Sequence, residues 1–345
     1  MFFIRLFICL ILLSSAFTAQ SAVILQYHHV SDKTPPSTSI SPQLFDQHLE
    51  HIEQQGFSVW PLPKLVQHLQ QGSTIPDKVV SITFDDAYES VYRSAFPALK
   101  KRNMPFTIFV ATQAIKKNNQ LFMTWDQLKE VTQFGATIAN HTHTHLHLVR
   151  KQEGETNEDW RARLREDILR AEKIIDQNIP NTSKLLAYPY GEYTQEVQSL
   201  SQELGYVSFG QQSGAVGNAH DLTALPRFPM TNRFGAMKQF KLKLASLPLH
   251  ASKVIPNQKI VRQPSISKGL RFEFDRKYAG ISCFFEGDAV SIKQEENSII
   301  VQQELTLPVG RSRINCTAPS SEKGRYYWYS HAWIRPKANG EWYKE

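Results

Sequence analysis

Two short stretches gather side chains able to do chemistry. "ITFDDAY" (Ile82 to Tyr88) sets Asp85 beside Asp86, and "NHTHTHLHLV" (Asn140 to Val149) places His141, His143, His145 and His147 at every second position. Adjacent aspartates at a strand end commonly cap the next turn, and a single histidine commonly sits at the surface or satisfies a hydrogen bond. Together they offer more. Histidine nitrogen and carboxylate oxygen are zinc ligands, and a catalytic zinc site keeps one position open for water. Successive side chains diverge on a strand, so one aspartate can hold a metal while its neighbour acts as a base. The four histidines cannot all hold one ion. On an extended chain they share a face, with neighbouring Cβ atoms about 7 Å apart, two strand rises. A turn after His141 lets an i, i+4 pair converge, so the expectation is at least two of the four with one aspartate.

The elements that position these residues alternate. "AVILQYHHV", "KVVSITF", "PFTIFVAT", "ATIAN", "KLLAYPYG" and "YVSFG" read as strands, the first of them near-continuously apolar as in a buried parallel strand. Between them lie helical stretches: one from Ser41 as N-cap to Gly56 as stop, one near Leu62 to Leu69, one around Pro97, one capped by Thr124, and an amphipathic one from about 158 to 178. The alternation predicts a parallel sheet or (β/α) barrel over roughly 220 residues. Sites in both architectures form at the C-terminal ends of strands. His28, Asp85, Asp86, His141 and Tyr190 all fall there. After about Leu247 helical periodicity fades, and short alternating strands predict a small β-rich domain.

Length and composition set the bounds. A chain of 345 residues can bury a full core, and 41% hydrophobic with 21% charged residues argues against disorder. The net charge is +7, and residues 241–271 hold lysines and arginines without one acid. That stretch reads as a solvated linker or as a contact for an anionic envelope surface; with no nucleic-acid module signature beside it, nucleic acid is not an expected partner. Arg5 followed by "LFICLILLSSAF" and "TAQSA" reads as a secretory signal over residues 1–22, with an uncleaved anchor as the alternative. Export leaves Cys283 and Cys316 able to form one disulfide.

"TFDDAY" followed by "NHTHTH" resembles the polysaccharide deacetylase family, the carbohydrate esterases with the NodB homology domain. "YHHV", "IPDKVVSITFDDAY", "MPFTIFVAT", "MTWDQLKEV" and "YPYGEY" follow in the family's order from about Val23 to Met230, and the pattern is most similar to the branch acting on poly-β-1,6-N-acetylglucosamine. The resemblance implies a distorted (β/α) barrel, NodB-like, for a catalytic domain at 23–245; the change of pattern after it reads as a linker at 246–254 and a β-rich accessory domain at 255–345 that resembles no family. The resemblance also implies Asp85 as general base and His28 as general acid, with Asp86, His141 and His145 holding a divalent metal, Zn²⁺ or alternatively Ni²⁺ or Co²⁺. It places Pro189 and Tyr190 at the turn whose backbone holds the oxyanion, Trp125 at the sugar site, and His143 and His147 as neighbours. Two positions depart from the pattern: Ala87 replaces a glycine, and Ala187 stands where the family has an arginine that orients the base, a charge Arg227 could supply from elsewhere. The expected activity is metal-dependent N-deacetylation of an acetylated polysaccharide by an exported, periplasmic enzyme associated with the cell envelope. The rivals are a deacetylase of peptidoglycan or chitin-type sugars, an O-deacetylase, and a catalytically silent glycan-binding protein. The aromatic-rich C-terminus ("RYYWYSHAWIR", Trp342, Tyr343) reads as a glycan-binding surface or as a β-domain core.

Overall fold

The computed structural model describes residues 21–115, 119–180 and 182–344. The expected signal segment lies outside the described residues but for its last two, Ser21 and Ala22. Seven parallel strands form the first sheet: β1 (Ala22–Tyr27), β2 (Val79–Asp85), β3 (Phe106–Val110), β4 (Ala136–Asn140), β5 (Leu185–Ala187), β6 (Val207–Phe209) and β7 (Phe228–Pro229). Their spatial order is β7-β1-β2-β3-β4-β5-β6, with the short strand Ser58–Val59 beside the start of β2. The sheet curls into a half-barrel, and isolated bridges from Ala22 to Val216 and from Phe209 to Leu225 narrow the remaining gap.

Strand periodicity explains the unbroken apolar runs. Val23, Leu25, Tyr27, Val80, Ile82 and Phe84 join one buried cluster with residues of helices α1 (Pro42–Gln54), α3 (Phe96–Lys101) and α4 (Trp125–Thr132). Alternate residues Ala22, Ile24, Val79 and Phe109 join a second cluster with helix α2 (Leu62–Gln71). Both faces are covered, so both parities are buried. The second parity turns polar toward the strand ends, at Gln26, Thr83 and Asp85, each fully buried. The helix expected around Pro97 is in two parts: a π-helical turn, Val91–Ala95, precedes α3. Helices α5 (Asn157–Asn178) and α6 (Gln195–Glu203) pack with Leu186 and Tyr188, and α7 (Met237–Leu244) returns to α1.

The C-terminal part holds two antiparallel-rich sheets around their own core. Residues 246–254, expected to be a linker, are largely strand: β8 (Leu247–Pro248) pairs with Tyr327–Trp328, and β9 (Ala251–Ile255) pairs with β10 (Arg271–Phe274). Cys283 and Cys316 stand opposite one another on paired strands Ser282–Phe285 and Gly310–Pro319, joined as a disulfide with sulfurs 2.05 Å apart. The aromatic strand Tyr326–Arg335 is mostly packing surface. Trp333 is buried in this core, and Trp328 meets Phe228 of the barrel edge-on at 5.3 Å. Among the described residues no helix is long and apolar enough to cross a membrane.

Candidate active site

The site begins where β2 ends. Asp85 is the last strand residue, and Asp86 and Ala87 follow in the left-handed region, with φ of 71° and 57°. A side chain there costs about 1–2 kcal/mol, which explains why glycine suits position 87; here a buried alanine takes the strain. The bend separates the two carboxylates.

Asp85 is 0% exposed and held from below. Arg227, also 0% exposed, donates from Nη1 to Oδ1 at 2.6 Å and from Nη2 to Oδ2 at 2.8 Å, while its Nε donates to the Gly210 carbonyl at 2.9 Å. Gln26 Nε2 donates to Oδ2 at 2.6 Å. Burial opposes ionisation of Asp85, but the Arg227 charge, with His141, the Arg227 hydrogen bonds and His28, outweighs it and holds the carboxyl below its ordinary range. His28 Nε2 lies 4.0 Å from Oδ2. His29 turns elsewhere, stacking on Tyr88 with centroids 3.6 Å apart.

The histidine run does not stay extended. Asn140 Oδ1 accepts from the Thr142 amide, Thr142 takes φ 67°, and its hydroxyl accepts from the His145 amide. The chain therefore turns right after His141. His141 and His145 converge on Asp86 Oδ1, with Nε2 atoms at 3.5 and 3.1 Å. His143 points to Thr112 Oγ1 at 2.8 Å, and His147 donates through Nδ1 to Glu192 at 2.8 Å. Burial lowers the His141 pKa to about 4, against the opposing charge of Asp85, so its ring is neutral. Its Nδ1 faces the Ala187 carbonyl at 2.8 Å and must carry the proton, so Nε2 aims a lone pair at a carboxylate oxygen. Two acceptors facing each other, with the donor atoms of Asp86, His141 and His145 all within 4.8 Å, suit a cation between them.

The turn after β5 forms the opposite wall. Tyr190 sits at φ 60° between Pro189 and Gly191, its ring 4.6 Å from His145 edge-on and stacked on His147 at 3.8 Å. A Cβ at Gly191 would lie 2.6 Å from Gln211 Cβ, so no side chain fits there. Glu192, 0% exposed, anchors the turn. Besides His147 it takes the Tyr343 hydroxyl and Arg311 at 3.3 Å, both from the C-terminal part. Those bonds overcome the burial that would neutralise it and keep its pKa low.

Asp85, Asp86, His28, His141, His145, Arg227 and the Pro189–Tyr190 turn thus meet at one end of the half-barrel. Trp125 opens α4, half-buried against the barrel core, two residues after Met123, whose amide donates to Ala87. Sequence reasoning missed Gln26 and Glu192. For Gln26 the signal is one amide inside an otherwise apolar strand; for Glu192 it is an acid directly after the turn.

Residues 72–209 match the family model described as polysaccharide deacetylase; Gln26, His28 and Arg227 lie outside that stretch. The poly-β-1,6-N-acetyl-D-glucosamine N-deacetylase of Staphylococcus epidermidis is 26% identical over 232 residues, 61% of this chain and 80% of its own. The structure of IcaB from Ammonifex degensii is 25% identical with a TM-score of 0.56, covering 65% of this chain and 96% of that one. The Streptococcus pyogenes deacetylase PplD, solved with acetate, shares the fold at 23% identity and a TM-score of 0.59, covering 66% of this chain and 99% of that one. Family model and relatives agree on one activity: residues 72–209 form a polysaccharide deacetylase domain of the NodB type, and the enzyme is a polysaccharide deacetylase.

Proposed function

We propose that the enzyme removes N-acetyl groups from a poly-N-acetylglucosamine, the β-1,6-linked polymer foremost, with a divalent metal held by Asp86, His141 and His145. The observation that carries this is the pair of facing acceptors, His141 Nε2 and Asp86 Oδ1, set beside an arginine-pinned carboxylate. Two histidines and one carboxylate are a zinc-type donor set. When bound, the cation supplies a Lewis acid that polarises the acetyl carbonyl and makes water more acidic.

The chain's residues do the rest. Asp85, kept ionised, accepts the proton of the attacking water; its carboxylate has lone pairs to spare beyond those taken by Arg227 and Gln26. Arg227 and Gln26 fix the direction in which Asp85 receives it. The Pro189–Tyr190–Gly191 backbone stands where charge develops on the acetyl oxygen. His28, whose Nε2 lies 4.0 Å from Asp85 Oδ2, gives its proton to the departing sugar nitrogen. The β-1,6 preference rests on the poly-β-1,6-N-acetyl-D-glucosamine N-deacetylase relative, and the periplasmic location and envelope association on the signal-like first 22 residues and the basic stretch.

The test is acetate release from β-1,6- and β-1,4-linked N-acetylglucosamine oligomers, after chelation and with Zn²⁺ restored. Metal-dependent release from the β-1,6 series, lost in Asp86→Ala together with bound metal, is expected. Release from β-1,4 oligomers alone would overturn the substrate, and full release by the metal-free protein would overturn the metal's role.

A further inference from the structure

A cavity of about 540 Å³ opens beside the Tyr190–Gly191 turn and runs between the barrel and the C-terminal sheets. Its size suits a sugar residue or two. Five basic side chains line it, Arg233, Lys243, Lys259, Arg311 and Arg313, against two acids, Glu192 and Glu286; burial pushes the pKa of Lys243 and of Lys259 down to about 7, so the three arginines carry the standing charge. Glu192 is already engaged by His147, Tyr343 and Arg311. Three of the basic groups surround one aromatic ring: Arg233, Lys243 and Arg313 lie 5.4, 5.8 and 5.8 Å from the centroid of Phe234, which is 36% exposed. Arg311 lies 5.4 Å over the Tyr190 ring at the cavity's active-site end. Lys243 and Lys259 come from the acid-free stretch 241–271, which the deacetylation chemistry leaves unexplained.

A neutral N-acetylglucosamine chain offers such a lining hydroxyl and carbonyl acceptors but no opposite charge, and its deacetylated product, an amine, is repelled by it. A sugar that stacks on Phe234 and carries a negative group satisfies both the ring and the charges. Resting on the deacetylase reading above, we propose that this cavity is a subsite for an acidic sugar, so that the poly-N-acetylglucosamine the enzyme prefers carries carboxylate or phosphate substituents near the N-acetyl group that is removed.

The experiment compares kcat/KM for acetate release from three oligomers of equal length: neutral, carboxylate-bearing and phosphate-bearing on the sugar next to the reacting one. The wild-type enzyme should favour at least one acidic oligomer by about tenfold, chiefly through KM, and added salt should erode the preference. Arg313→Gln, and separately the exposed Arg233→Gln, should bring the ratio to the neutral oligomer down several-fold. Comparing the two acidic oligomers names the anion. Equal kcat/KM for all three in the wild type, or a preference untouched by both variants, overturns the subsite. Binding of the carboxylate- and phosphate-bearing oligosaccharides, lacking acetyl groups, is measured in parallel by calorimetry. If no oligomer releases acetate, the deacetylase substrate is wrong, and the subsite still stands or falls on whether wild-type binding exceeds that of the two variants.

Discussion

Arg227→Gln tests how the base is held. The guanidinium makes two charge-assisted bonds to Asp85, at 2.6 and 2.8 Å, and a third to the Gly210 carbonyl, with both side chains fully out of solvent. Bonds to a charged partner contribute about 1.5–3 kcal/mol each, and leaving one member of a buried ion pair alone costs about 3–5 kcal/mol. Gln26 remains as a donor and recovers part of this, so the expected loss is about 4 kcal/mol, a large share of a typical folding free energy of about 5–15 kcal/mol. Urea unfolding at neutral pH of wild type, Arg227→Gln, Asp85→Asn and the double variant closes a thermodynamic cycle. The coupling should reach about 2–3 kcal/mol, the double variant being much less destabilised than the sum of the singles. Single changes that add within about 0.5 kcal/mol would refute the pairing, as would an Arg227→Gln loss below about 1 kcal/mol.

Other outcomes follow from the same structure. His48 is buried, bonded to Tyr27 and the Gly235 carbonyl, stacked on Phe240, and near Lys243 and His51; burial chiefly lowers its pKa to about 4. The unfolded chain therefore takes up a proton near pH 6.5 that the folded one refuses, and stability falls between pH 6.5 and 4 by about 3 kcal/mol on this account; in His48→Gln that decline should be shallower, and an unchanged slope in pH-dependent unfolding rules it out. Replacing Cys283 by serine removes a bridge spanning 33 residues and should cost about 4 kcal/mol by loop entropy, read from guanidinium unfolding with and without reductant. Gly191→Ala forces a Cβ against Gln211 and should lower the melting temperature by several degrees and, in the folded variant, cut kcat for acetate release by tenfold or more; near-normal kcat would detach the turn from catalysis.

The half-barrel was legible because its strands are buried on both faces and so stand out as apolar runs, and the rule that sites form at strand ends singled out Asp85, Asp86 and His141. What stayed hidden depends on partners far away in the chain. Gln26 meets Asp85 across 59 residues, and Arg227 meets it across 142; one amide in a strand carries no sign of what it faces. The convergence of His141 and His145 was open until the Thr142 turn decided it, since strict alternation equally describes an extended strand. Residues 246–254 read as a linker in the sequence because a two-residue strand such as Leu247–Pro248 has too few positions to show a period.

Glu192 also bears on recombination of the two halves. Its carboxylate belongs to the barrel, yet Arg311 and Tyr343 reach it from the other part of the chain. A barrel grafted onto a different C-terminal partner would inherit a sealed negative charge stripped of two of its neighbours, directly behind the turn at Tyr190. Swapping the accessory part is therefore not a neutral exchange of attachments. Chimeras should keep a working turn only where the incoming partner brings its own cation and hydroxyl to that carboxylate, or where Glu192 is neutralised in the same step.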